Sequence, residues 1–243
     1  MTRTFSDLSF QSDEAETIRA QIRAQFPEEF AAIESVAKLA ISELSSVKGA
    51  FNPNYLVGTA FWLRCIETCQ GTVLLAERGM TAAPSAVLRT AFECLFTACA
   101  VWRKPDLVAK LEQHHHFERI QQAKKMADFK TTLGVSKEQI ELLEEVASLP
   151  KVEKVWSAFD AAVAADFKQL YEVVYRGLAL GGAHASPRSL DDFWSDAEDG
   201  AVTLGLEPSD RRVVWYLSLV KTCLTNGIER HREALKFEGN LPS

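Results

Sequence analysis

Long apolar runs free of charge are missing from this chain of 243 residues. Its two most apolar stretches are each interrupted by an arginine and a glutamate, Arg64 with Glu67 and Arg89 with Glu93. Neither is therefore expected to span a bilayer, where an ionised side chain is costly. The opening MTRTFSDLSFQSDEAE carries acids early and has no continuous apolar core, so it does not read as a secretory signal. Positive charge is in deficit: 27 Lys and Arg face 33 Asp and Glu, a formal net charge of -6. That balance weighs against nonspecific binding to phosphate backbones and leaves only a local basic groove open to nucleic acid.

Cysteine is scarce and irregular. Cys65, Cys69, Cys94, Cys99 and Cys223 make an odd count without framework spacing, which excludes a disulfide scaffold and points to reduced core thiols. Cys65 and Cys69 share a helix face, but no second Cys pair or Cys/His pair completes a tetrahedral metal site. Proline and glycine are thin, at 8 and 12 residues. They form no linker that divides the chain, and no phosphate-cradling glycine loop, nucleophile elbow or zinc signature is found. Alternating strand patterns, repeats and low-complexity tracts are absent too. The cytoplasm is the expected compartment.

What is present is helical periodicity. It runs through 13–26, 28–47, 51–79, 84–102, 104–134, 136–149, 152–180 (in one piece or two) and 211–236. Pro27 stops the first helix, Asn52 or Asn54 caps the third, and Pro84 suits a first turn. Ser136 with Gln139 makes a capping box. The expectation is an all-α fold, a multi-helix bundle of about seven or eight helices. Residues 1–50 read as an N-terminal helical appendage and 51–243 as the bundle domain; one continuous domain 1–243 is the alternative. The acidic stretch SLDDFWSDAED reads as a lid or interface with Phe193 and Trp194 buried.

The helix at VLRTAFECLF poses the functional question. Leu88, Phe92, Leu95, Cys99 and Trp102 share one arc, and small residues fill the opposite side, so the helix should be buried nearly all round. Arg89 and Glu93 lie together on its flank and must be paired or hydrogen-bonded, because an isolated buried charge is expensive. An internal bridge that pins one register would satisfy them. So would a polar pocket in which Arg89 offers planar donors to a carboxylate or phosphate, with Glu93 as orienter or acid/base. Further along, YEVVYRGLALGGAHASPRS places Tyr171 and Tyr175 one turn apart, followed by Arg176, a Gly-Gly break, His184 and Ser186. His184 is expected at a helix junction, one ring nitrogen on backbone and the other free to face a pocket.

LRTAFE, followed by this Tyr-rich helix and His-Ala-Ser-Pro, resembles a family of uncharacterised bacterial all-helical proteins, over about Asn54 to Leu190. The resemblance implies that Arg89, Glu93, Tyr175, His184 and Ser186 form one polar group. It supplies no reaction. The chain is also distantly similar to HEPN domains, helical bundles that include metal-independent ribonucleases and nucleotidyltransferase partners. Active members carry an arginine and, four to six residues later, a histidine on one helix; here Arg176 precedes His184 by a longer interval. That likeness implies His184 as general base on a ribose hydroxyl, with Arg89 or Arg176 stabilising the phosphorane.

Two other signals are read as surface. Glu112 and His115 have the Glu-x-x-His spacing of di-iron bundles, but no second copy accompanies them, and three successive histidines cannot share one face. Arg119, Lys124, Lys125 and Lys130 read as a solvated stripe. The expected function is a helical module binding a small anionic ligand or a protein partner through Arg89, Glu93, Tyr171, Tyr175, Arg176 and Ser186. The alternative is a HEPN-like ribonuclease in a toxin or phage-defence setting, with His184, Arg89 and Glu93 as its catalytic group. No metal or cofactor is called for, and a homodimer is expected, since such bundles bury leftover apolar faces against a second copy.

Overall fold

The computed structural model describes residues 4–48, 51–129, 134, 136–150, 156–183, 187–196 and 202–237. Among these, ten helices carry almost the whole fold. They are α1 (Phe5–Leu8), α2 (Glu14–Gln25), α3 (Pro27–Ser46), α4 (Pro53–Ala76) and α5 (Ala83–Arg103). Then come α6 (Leu107–Asp128), α7 (Lys137–Ser148), α8 (Ala158–Ala164), α9 (168–183) and α10 (Val213–Phe237). The bundle is all-helical as expected, but the count exceeds seven or eight. The single turn α1 is one addition. The other is a break between α8 and α9 at Asp166, which takes φ 65; a short polar side chain tolerates this left-handed conformation better than most.

The local signals in the sequence are realised as hydrogen bonds. Asn52 Oδ1 accepts from the Tyr55 amide at 2.8 Å and starts α4. Ser136 and Gln139 bond reciprocally, at 2.8 and 3.3 Å, and start α7. α2 ends at Gln25, with Phe26 as its cap directly before Pro27, and Pro27 itself occupies the first turn of α3, where its missing amide is no loss.

α5 is the central element. Leu88, Phe92, Leu95 and Phe96 are fully buried, and each such side chain contributes about 1.5–3 kcal/mol relative to exposure. α4 packs along it, α10 crosses both, and α8 with α9 covers its remaining side. The crossing of α4 and α10 is close because Gly227 lies under Trp62: a Cβ there would stand 2.1 Å from the indole ring. Ile22, Phe30, Ile33 and Ala40 of α2 and α3 belong to the same apolar core. Buried Glu77, just past α4, draws α2 in through Arg23 at 2.7 Å. α5 is long and apolar enough to cross a membrane, yet 67% of its most apolar window is buried inside the protein.

The acidic connection before α10 is less helical than the rest. A 3₁₀ turn, Pro187–Phe193, leads into an antiparallel ribbon of β1 (Trp194–Asp196) and β2 (Val202–Leu204). Phe193 is half-buried, but Trp194 is 50% exposed rather than buried. It lies on a three-residue strand, and among the described residues its ring stays half in solvent.

Candidate functional site

α5 presents three polar side chains on successive turns, Ser85, Arg89 and Glu93, at the i, i+4, i+8 spacing that aligns them on one face. α9 lies against this face. It is not a regular α-helix: wide π turns at Tyr171–Tyr175 and Ala179–Ala183 flank a short α-helical segment. Such turns re-aim side chains relative to a straight helix and recur at functional sites. Here the first wide turn ends at Tyr175, which is buried with its hydroxyl directed at α5.

That hydroxyl links the two charged residues. Arg89 Nη2 donates to Tyr175 Oη, and Tyr175 donates to Glu93 Oε1 at 2.5 Å. A phenol has one proton, so the direction is fixed: guanidinium to phenol to carboxylate. Arg89 and Glu93 are also a direct ion pair, at 3.4 Å. The Arg89 guanidinium lies over the Tyr175 ring, 4.5 Å from its centroid, and Tyr171 stacks behind that ring at 4.8 Å. Burial, reinforced by the bond to Glu93, pushes the Tyr175 hydroxyl well above the usual phenol range. At neutral pH it is a donor that positions its neighbours, not a base.

Two features leave this group unfinished. Arg89 Nε is buried and has no acceptor among the described residues. At the same time the side chains of Arg89 and Glu93 are 26% and 40% exposed, so the pair stands at the edge of the core within reach of solvent.

One turn earlier a second network begins, which the sequence reading missed. Ser85 Oγ and Tyr216 Oη are 2.8 Å apart, and Tyr216 donates to the Thr81 carbonyl. With the phenol proton committed to that carbonyl, Ser85 is the donor to Tyr216. Burial raises the Tyr216 pKa as well. Arg212, at the start of α10, donates to the Gly181 carbonyl at 2.9 Å and pairs with Asp192 at 2.9 Å. It thereby ties residue 181 to residue 192. Gly182 makes the approach of α9 to α5 possible: it takes φ +151, and a Cβ on it would lie 3.0 Å from the Ala82 carbonyl oxygen. The sequence did carry a signal for Ser85, the i−4 position of Arg89. It carried none for Arg212 or Tyr216, which lie about 120 residues away.

Of the residues singled out from the sequence, Arg89, Glu93, Tyr171 and Tyr175 are brought together. Arg176 is not. It turns to Glu172, 2.9 Å away on the same helix, with 66% of its side chain exposed. His184 and Ser186 lie outside the described residues. The half-motif on α6 stays on the surface: Glu112 and His115 are exposed, and His114 approaches Glu118 at 3.9 Å. All five cysteines are free and buried. Among the described residues the one group with metal-ligand geometry is Cys65, Cys69 and Cys223, whose third member the sequence reading had not joined to the first two.

The molecule is thus an all-helical bundle in which an Arg–Tyr–Glu relay, half-buried between two helices, is the most developed polar feature of the central helix. The chain belongs to DUF5677, a family of unknown function, whose model matches residues 55–201. The matched region runs from α4 past β1 and holds Arg89, Glu93, Tyr171 and Tyr175; Arg212, Tyr216 and Cys223 fall beyond it. No curated protein and no solved structure matches the chain.

Proposed function

We propose that the chain is a cytoplasmic binding module that takes a small anion, through a carboxylate or phosphate group, at Arg89. The observation that carries this reading is the buried Arg89 Nε–H without an acceptor among the described residues. A buried unsatisfied donor costs about 1–3 kcal/mol, and a planar guanidinium edge matches two oxygens of such an anion. Tyr175 and Glu93 both contact Nη2 of the same guanidinium, so its orientation is fixed before a ligand arrives. Preorganisation of this kind reduces the entropy lost on binding.

Isothermal titration calorimetry with inorganic phosphate, a phosphate monoester and a dicarboxylate tests this directly. The wild-type chain is expected to bind at least one of them, and Arg89→Met to bind none while retaining its helical circular dichroism. Equal binding by both proteins would overturn the reading.

The ribonuclease alternative requires a histidine and an arginine directed at one phosphate, and no observation favours it: Arg176 is engaged with Glu172 at the surface. Metal-independent cleavage of RNA that is lost in His184→Ala would reverse this order. A homodimer is part of the proposal. Leu56 and Leu63, two turns apart on α4, are 53% and 55% exposed, and sedimentation of the wild type against Leu56→Glu/Leu63→Glu reads whether a second copy covers them.

A further inference from the structure

Apart from the Arg89 group, three thiols meet in the core. Cys65 and Cys69 lie one turn apart on α4, and Cys223 reaches them from α10. The three Sγ atoms lie within 4.8 Å of one another, and Cys65 Sγ is 3.5 Å from Cys223 Sγ. A metal–sulfur bond of about 2.3 Å sets three thiolates roughly 4 Å apart around one trigonal centre. The observed spacing brackets that value, so the side chains need little movement to converge on one ion.

We propose that Cys65, Cys69 and Cys223 form a three-sulfur site for a soft trivalent centre of the arsenic(III) or antimony(III) class.

The choice of class follows from charge and donor type. All three residues are 0% exposed, and the groups that act on their thiols are other cysteines rather than any cation. Three thiolates around a monovalent or divalent ion would leave net negative charge in this apolar setting, which is unfavourable when nothing compensates it. Three thiolates around a trivalent centre are neutral. Zinc would in addition require a fourth ligand to become tetrahedral, and hard oxygen-seeking cations have no donors here. The spacing of 3.5 Å also suits a pyramidal centre, whose sulfurs crowd to one side of it.

A groove of 610 Å³ between α3, α4 and α10 borders Cys69 together with Val73 and Leu224, with Arg23, Glu34, Lys38 and Glu77 also on its walls. Cys69 is 0% exposed, so entry requires local opening of the groove floor, which an uncharged hydroxide such as arsenous acid crosses without shedding a charge. Arsenous acid and three thiols give the tris-thiolate and three waters. Three As–O bonds break, three As–S bonds form, and no electron changes hands.

The experiment incubates the full reduced chain, kept in a thiol-free phosphine reductant, with arsenite or with zinc. Retained ion is counted after desalting by native mass spectrometry, and the arsenic coordination is read by X-ray absorption. One arsenic per chain with three sulfur neighbours is expected. Cys223→Ala and Cys69→Ala should each abolish retention, while Cys94→Ala should keep it. The absorption spectrum of the wild type decides the matter even where a variant fails to fold. No retained arsenic, a two-sulfur arsenic, or retention of zinc in preference to arsenic would each overturn the proposal. None of these readouts depends on anion binding at Arg89.

Discussion

Tyr175 donates to Glu93 at 2.5 Å across 82 residues of sequence, while the same hydroxyl accepts from Arg89. Two charges that the sequence places one turn apart on a single helix are thus joined through a third residue from another helix. The phenol also supplies a ring beneath the guanidinium. Removing its hydroxyl alone would keep the ring and break both hydrogen bonds.

Tyr175→Phe is therefore expected to lower stability by about 1–2 kcal/mol, because Arg89 and Glu93 lose a partner at a half-buried position. Urea unfolding checks it: the midpoint should fall with an unchanged slope. An unaltered midpoint would mean that water replaces the phenol at no cost.

Replacing the whole relay should behave differently from breaking it. Apolar substitution of all members of a polar group is often neutral or stabilising, whereas loss of one member strands the others. Arg89→Met/Glu93→Leu/Tyr175→Phe is expected to unfold at or above the wild-type midpoint and to bind no phosphate. Were the triple variant less stable than Tyr175→Phe, the relay would be architecture, and the functional reading of α5 would fall with it.

His231 gives a pH dependence. It is buried, and its Nε2 lies 2.8 Å from the Tyr55 hydroxyl. Burial lowers its pKa from the ordinary 6.5, against a smaller opposing effect of Glu43. Below 6.5 the unfolded chain takes up the proton first, so stability rises with pH in that window. This contribution is complete above the unfolded value and is lost as pH falls toward the folded one. Unfolding free energies measured between about pH 5 and 8 should show this slope in the wild type. His231→Gln, which keeps an acceptor for Tyr55, should lack it.

Gly182→Ala tests the approach of α9 to α5. The positive φ and the contact with the Ala82 carbonyl both oppose a side chain, with an expected cost of about 1–3 kcal/mol. Phosphate affinity should fall too, since Gly182 packs on Ala82 and Ser85, two turns and one turn before Arg89 in sequence. Thermal and calorimetric measurements on this variant read the two effects separately. Unchanged values for both would show that the backbone adjusts without consequence.

Much of the local structure was legible. Capping by Asn52 and Ser136, Pro84 in a first turn and the apolar arc of α5 all rest on interactions within a few residues, and these are written in the order of the chain. The flank position of Arg89 and Glu93 was legible for the same reason. The wide turns of α9 were not, because nothing local distinguishes YEVVY from an ordinary helical turn; contact with α5 selects that geometry. The outward ring of Trp194 was misread because an aromatic residue in a short strand is buried only if something packs over it.

The sequence by itself determined a helical bundle and the residue types of its polar stripe, since helical periodicity and i, i+4 spacing are properties of one helix. Only the tertiary structure decided which distant side chains complete each group. Tyr175 reaches Glu93 across 82 residues, Tyr216 reaches Ser85 across 131, and Cys223 reaches Cys65 across 158. Those meetings depend on how helices pack around α5. Packing is set by the shape of the whole core, down to a glycine that admits one tryptophan, and not by any local rule of the chain.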